Sequence, residues 1–159
     1  MRLALFEPDI PQNTGAIARL AACLGLPLDI IEPAGFPVSD RAFRRAGMDY
    51  LDRVEITRHP CFKAFDEWRR AGAHRLVLAT TKAELAYTDF AFATRDIILL
   101  GRESAGAPAH VHASADERIR VPMREGLRSL NVALAAAMIA GEAVRQSTLL
   151  TLSARSACA

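Results

Sequence analysis

Three stretches of the chain gather side chains that can orient a ligand and stabilise charge. They are Asn13-Thr14-Gly15 with Arg19, Gly101-Arg102-Glu103-Ser104-Ala105-Gly106, and Ser129-Leu130-Asn131. Gly101 and Gly106 permit a tight turn in which backbone groups come close to a ligand. Each feature also has a purely structural reading. Asn13 or Thr14 can serve as an N-cap, Arg19 as a solvated face residue, and Glu103 as a carboxylate drawn to a helix start ahead of Pro108. Several chemistries are disfavoured outright. No G-x-G-x-x-G or P-loop follows any strand-like run, so pyrophosphate cofactors lose ground. His110 and His112 form an H-x-H pair, but no nearby Cys or third His completes a metal site. No Ser/His/Asp order suited to nucleophilic catalysis stands out. A nucleotide-like ligand without a pyrophosphate is what the residues leave.

Hydrophobic periodicity gives the elements that must position these groups. Short apolar runs at Leu3–Phe6, Leu28–Ile31, Arg75–Ala79, Asp96–Leu100 and Arg118–Val121 read as strands, with a weaker strand at Val54–Thr57. Helical patterns cover Pro11–Gly25, with Ile17, Leu20, Ala21 and Leu24 on one face, a short basic segment Asp40–Ala46, and Cys61–Ala71. A last helix spans Ser129–Arg145, with Ser129 as expected N-cap. It is apolar nearly all round, so it should be buried on several sides, one of them against a second subunit. Residues 147–159 lose the pattern and are expected to form a loose tail after a single domain at 1–146. Alternating strands and helices give an α/β class with a mainly parallel sheet flanked by helices. In such sheets, ligands bind beyond the carboxyl ends of the strands, where the three stretches fall.

The 159 residues suffice for one domain with a proper core, and half are apolar. Of the 20 basic residues only Lys63 and Lys82 are lysine, and the formal charge is +2. Arginine suits phosphate recognition, although a GC-rich genome also favours it, so the positions count for more than the number. Arg41, Arg44 and Arg45 form a cluster that is either a grip on an RNA backbone or a solvated helix face. Cys23, Cys61 and Cys158 share no ligand-like spacing and suit a reducing compartment. With no signal-like or membrane-spanning run, a soluble, cytoplasmic protein without metal is expected.

Taken together, the three stretches resemble the three motifs of the SPOUT methyltransferases, and Ser129-Leu130-Asn131-Val132 resembles their ribose 2′-O branch. EPDIPQNTGAIARL, IIEPAGF (residues 30–36), RRAGMDYLD (44–52) and ATTK from Ala79 are similar to the group that methylates the wobble nucleotide of tRNA, cytidine or uridine. The likeness covers roughly residues 1–146. It departs at Arg102, Ser104 and Ala105 and at Arg124–Leu127, near where the substrate would lie. The resemblance implies a C-terminal deep trefoil knot, S-adenosylmethionine as cofactor, a homodimer, and the tRNA anticodon stem-loop as partner. It implies cofactor contacts at Ala79, Gly101, Val121, Ser129 and Leu130, with Arg19, Asn13, Glu103 and Asn131 as catalytic residues. The same methylation at another tRNA or rRNA position, and a non-catalytic nucleotide-binding module, are the alternatives. Intact Asn13, Arg19, Glu103, Ser129 and Asn131 speak against the module.

Overall fold

The computed structural model describes residues 1–37 and 41–156. Six strands form one sheet: β1 (Arg2–Phe6), β2 (Leu28–Ile31), β3 (Ile56–His59), β4 (Arg75–Ala79), β5 (Asp96–Leu100) and β6 (Glu117–Ile119). Their order is β3-β2-β1-β5-β4-β6, and every pairing is parallel. Among the described residues five α-helices accompany them: α1 (Pro11–Leu24), α2 (Arg41–Gly47), α3 (Phe62–Ala71), α4 (Ala109–Ser114) and α5 (Val132–Ser156). The mainly parallel α/β class expected from the pattern is the class observed.

Side chains alternate across the strands and feed two cores. Leu3 and Leu5 of β1, Ile98 and Leu100 of β5, and Ile17 and Ala21 of α1 share one core with Ile139 and Ala143 of α5. Ala4 and Phe6, with Ile97 and Leu99, face the other, under Phe62 and Phe65 of α3 and Val111 of α4. Each fully buried Leu, Ile or Phe contributes roughly 1.5–3 kcal/mol of transfer free energy. Two carboxylates sit fully buried in this sheet, and both are paired. Asp29 accepts from Arg2 Nε at 2.7 Å and lies 2.9 Å from His59 Nε2. Asp96 accepts from both Nε and Nη2 of Arg75 at 2.8 Å.

Several boundaries differ from the sequence pattern for local reasons. α1 starts behind Ile10 with Pro11 in its first turn and has no side-chain cap, so neither Asn13 nor Thr14 caps it. Its C-terminus closes as expected at Gly25, which takes φ +66°, while Leu26 N–H reaches Ala21 O at 2.9 Å. α4 begins directly after Pro108, near the helix start considered for Glu103, and its six residues are too few to show a helical period. α5 starts at Val132 rather than Ser129. Asn131 caps it, its Oδ1 accepting from Ala133 N–H at 2.8 Å and Leu134 N–H at 3.3 Å. The helix then continues to Ser156 through most of the segment expected to be a loose tail. Within the single chain it is enclosed on one side. Ala136, Ile139, Ala140 and Ala143 are buried, while Leu134 and Met138 are exposed. Asp40, expected to open the basic helix, and Cys158 lie outside the described residues.

α1 and α2 approach so closely that one position admits no side chain. A Cβ on Gly15 would stand 2.5 Å from Ala46 Cβ and 2.7 Å from the Phe43 carbonyl oxygen. Gly15→Ala gains about 1 kcal/mol of helix propensity, but the overpacking costs roughly 1–3 kcal/mol and has backbone on one side. The expected result is a net loss of up to about 2 kcal/mol, read by urea unfolding, with α2 displaced. Unchanged stability would mean that the two helices separate freely.

Candidate active site

A cleft of about 520 Å³ opens at the carboxyl ends of β4 and β5, beyond the end of β6, within the size range of small-molecule sites. All five expected cofactor positions line it: Ala79, Gly101, Val121, Ser129 and Leu130. Asn13, Glu103 and Asn131 line it as well. Three segments far apart in sequence thus share one wall.

The 101–106 loop owes its shape to two glycines. Arg102 N–H donates to Gly106 O at 3.2 Å, and Gly106 N–H donates back to Arg102 O at 2.7 Å. Gly106 takes φ +68°, where a side chain is strained. At Gly101, a Cβ would stand 2.7 Å from Ala107 N and the Gly106 carbonyl carbon. This turn carries Glu103 toward the start of α1. Glu103 Oε2 accepts from Asp9 N–H at 3.0 Å, and Oε1 accepts from Asn13 Nδ2 at 3.2 Å. Asn13 Oδ1 in turn accepts from Asn131 Nδ2 at 2.9 Å. Because Asn131 Oδ1 is taken by the first amides of α5, the orientation of both amides follows from the network. Asn13 therefore bridges two loops, which explains why it is not a cap.

Asp9 is the residue that sequence reasoning missed. Its carboxylate accepts from Glu103 N–H at 3.2 Å, from Ser104 N–H at 3.3 Å and from the Ser104 hydroxyl. Nothing in its spacing marks it, although it lies in the EPDIPQNTG stretch. Burial raises the Glu103 carboxyl above its ordinary value, and nearby Asp9 adds to the rise. Asp9 moves the other way: burial opposes its charge, but hydrogen bonds from Glu103 and Ser104 prevail and hold it below the usual carboxylate range. Arg102, one of the departures near the substrate, is tied to the Glu7 carboxylate and donates through Nε to the Glu7 carbonyl at 3.2 Å. Glu7 sits at φ +43°, a left-handed backbone that few non-glycine residues adopt.

Other expected residues lie elsewhere. Arg19 does not line the cleft of its own chain; it is exposed, with its guanidinium carbon 5.0 Å from the centre of the Tyr50 ring. Arg41 and Arg45 line a separate open groove of about 830 Å³ with Gln12 and Ala46. Arg44 is exposed on the same helix but does not line that groove. Lys82 and His112 add polar groups to the cleft. Burial, then Lys82 and Arg118, lower the His112 pKa below its ordinary value. His110 instead packs its ring 6.2 Å from Phe6 and 5.5 Å from Phe62. Among the described residues no group of three or more His, Cys, Asp or Glu could hold a metal.

The carboxylate pair yields a test. Asp9→Asn removes the neighbouring negative charge but leaves Glu103 buried. The Glu103 pKa should fall part of the way toward its ordinary value, as read by carboxyl-carbon NMR titration. An unchanged Glu103 titration would show that Asp9 does not influence it.

The geometry can be set beside known proteins. A tRNA (cytidine(34)-2'-O)-methyltransferase of Ancylobacter novellus is 67% identical over 147 residues, covering 92% of this chain and 93% of the relative. The Escherichia coli K12 protein of the same name is 39% identical over 148 residues, with 92% and 93% covered. A solved structure concerning the 2-OH methylation of C/U34 on tRNA superposes with a TM-score of 0.88 at 40% identity, over 92% of this chain and 95% of that one. The SpoU methyltransferase AviRb of Streptomyces viridochromogenes, in complex with the cofactor AdoMet, gives a TM-score of 0.83 at 30% identity. That likeness spans 93% of this chain and 58% of AviRb. The SpoU rRNA Methylase family matches residues 1–141, the span that holds every segment of the cleft, and the chain belongs to that family.

Proposed function

We propose that this chain is an enzyme that methylates the ribose 2′-hydroxyl of the wobble nucleotide of tRNA, cytidine or uridine, using S-adenosylmethionine. The observation that carries the reading is the meeting of residues 9–13, 101–106 and 129–131 on one cleft at the strand ends. Likeness to the tRNA (cytidine(34)-2'-O)-methyltransferases over nine-tenths of the chain supports the substrate.

The lining fits the cofactor. Ala79, Leu100, Val121, Leu130 and Ile139 offer apolar walls for an adenine ring, and the loop glycines leave backbone groups facing the cleft. When bound, S-adenosylmethionine would supply an electrophilic methyl group on a positively charged sulfur to the ribose oxygen, leaving as the neutral thioether while the hydroxyl proton would pass to solvent. The remaining work is alignment and electrostatics. Asn13, Glu103 and Asn131 hold the wall of the cleft in one arrangement. Arg19 grips the RNA phosphate and stabilises the forming alkoxide; a guanidinium stays protonated and is a poor base. Arg41, Arg44 and Arg45 hold the anticodon stem backbone, with the Arg41–Arg45 groove as a track for phosphate.

Arg19 stands outside its own cleft, which supports a homodimer in which each Arg19 serves the partner's cleft. The exposed Leu134 and Met138 on α5 offer an apolar surface for that contact. The trefoil knot belongs to the same reading, supported by likeness to the SpoU methyltransferases, and the strand order is compatible with it. The same reading puts the reaction in the cytoplasm, with the tRNA.

The decisive experiment methylates total tRNA from a deletion strain with labelled cofactor and maps the labelled nucleotide. Label is expected at nucleotide 34, the position carried in the relatives' name; label only outside the anticodon would sink the substrate assignment. A DNA oligonucleotide of the same sequence should remain unlabelled, since it lacks the 2′-hydroxyl. Arg19→Lys should cut turnover on the order of tenfold or more through loss of the planar fork. Near-normal turnover in that variant would rule out the geometric role of the guanidinium.

A further inference from the structure

Four ionisable side chains line the cleft: Lys82, Arg102, Glu103 and His112. Two of them are engaged within the protein. Glu103 accepts from Asn13 and from the Asp9 amide, and Arg102 is tied to Glu7. Lys82 stands in the turn that leaves β4 directly after Ala79. Thr80 holds that turn: its N–H donates to Ile119 O at 2.9 Å, its hydroxyl accepts from Lys82 N–H at 3.3 Å, and its carbonyl accepts from Ala83 N–H at 3.3 Å. Ala83 is buried, so the Lys82 backbone is fixed between a strand end and a buried anchor. Lys82 itself is exposed, and among the described residues no carboxylate pairs with it. His112, on α4, feels its charge. Burial first, then Lys82, hold the His112 pKa below its ordinary value, so near neutral pH the imidazole is neutral and the positive charge of the pair is that of Lys82.

The cofactor assigned to this cleft ends in an amino acid, with one carboxylate and one ammonium. A carboxylate that leaves water costs free energy unless a cation or N–H donors meet it. Glu103 has the wrong sign for that task, Arg102 already has Glu7, and His112 is neutral. Lys82 is the cation that remains. An RNA phosphate is the other oxyanion a lysine could meet, but Arg41 and Arg45 line a separate groove, whereas Thr80, Thr81 and Lys82 continue the wall begun by Ala79. We propose that Lys82 is a binding residue for the carboxylate of the cofactor. The inference rests on the cofactor reading above. The carboxylate takes no part in methyl transfer, so the contact adds to cofactor affinity and leaves the reacting centre to the wall built on Asn13, Glu103 and Asn131.

The test measures binding to the full chain by calorimetry with no RNA present. Its ligands are S-adenosylhomocysteine and the same molecule lacking the carboxylate. Wild-type protein should bind the decarboxylated ligand on the order of tenfold more weakly. Lys82→Met should lose about the same factor for S-adenosylhomocysteine and change affinity for the decarboxylated ligand by less than about twofold. Lys82→Arg, which keeps the charge, should retain most of the affinity. Equal weakening of both ligands by Lys82→Met, or weakening of neither, would overturn the inference while leaving the cofactor reading standing. So would unchanged S-adenosylhomocysteine affinity with weaker tRNA binding, which would give Lys82 to an RNA phosphate. Should Lys82→Met fail to fold, the wild-type comparison decides, since equal affinity for the two ligands overturns the inference by itself. Wild-type protein that binds neither ligand would overturn the cofactor reading as well.

Discussion

The site depends on a single chain of hydrogen bonds that runs from the first amides of α5 through Asn131 and Asn13 to Glu103. Each link has a donor on one side and an acceptor on the other, so the order of the groups cannot be reversed. At one end lie N–H groups of a helix start that have no partner within the helix and donate to Asn131, and at the other a carboxylate fixed to the Asp9 backbone. The chain joins segments about 90 and 118 residues apart in sequence. Partly buried polar networks of this kind are useful only when satisfied, since an unpaired amide or carboxylate costs more than its bond returns. Among the described residues no buried side-chain nitrogen or oxygen lacks a partner.

The sheet is the frame that makes such a network possible. Strands buried on both faces deliver three loop ends to one edge, and one of those loops is shaped by a backbone approach that excludes a side chain. Gly101 permits the 101–106 turn to fold back on itself, and the turn presents Glu103. Asp9 then braces the turn from the β1 side through two backbone amides and a hydroxyl. The two carboxyl groups shift in opposite directions because one is buried beside a negative charge while the other receives donors.

Most of the frame was legible from periodicity. The runs read from Leu28, Arg75 and Asp96 begin where the strands begin, and the run read from Leu3 begins one residue late, because strands buried on both faces read as near-continuous apolar runs even where a paired Asp29 interrupts one. Polar side chains were less legible, since one residue type serves several purposes. Asn13 has the composition of a cap but bonds across to another loop, while Asn131, read only as a site residue, is the cap. Ser129 was the expected cap and lines the cleft instead. Arg19 belongs to the first motif by sequence, yet the turn of α1 carries it away from Asn13 to the Tyr50 ring. Asp9 and the Glu7–Arg102 pair join positions about 95 residues apart, which no local pattern reveals. The length of α5 was underestimated because an apolar face is a poor guide where a helix leaves the core.

The place of β1 in the sheet has a consequence for how the chain is made. β1 gains one neighbour, β2, almost at once, but its other neighbour β5 begins only at Asp96. A ribosome adding about 5–20 residues per second leaves that apolar edge open for on the order of ten seconds. During this interval the nascent β1–β2–β3 half presents a strand edge that any other strand can join. Closure must wait for a strand that inserts between β1 and β4, so synthesis order and sheet order conflict at the centre of the molecule.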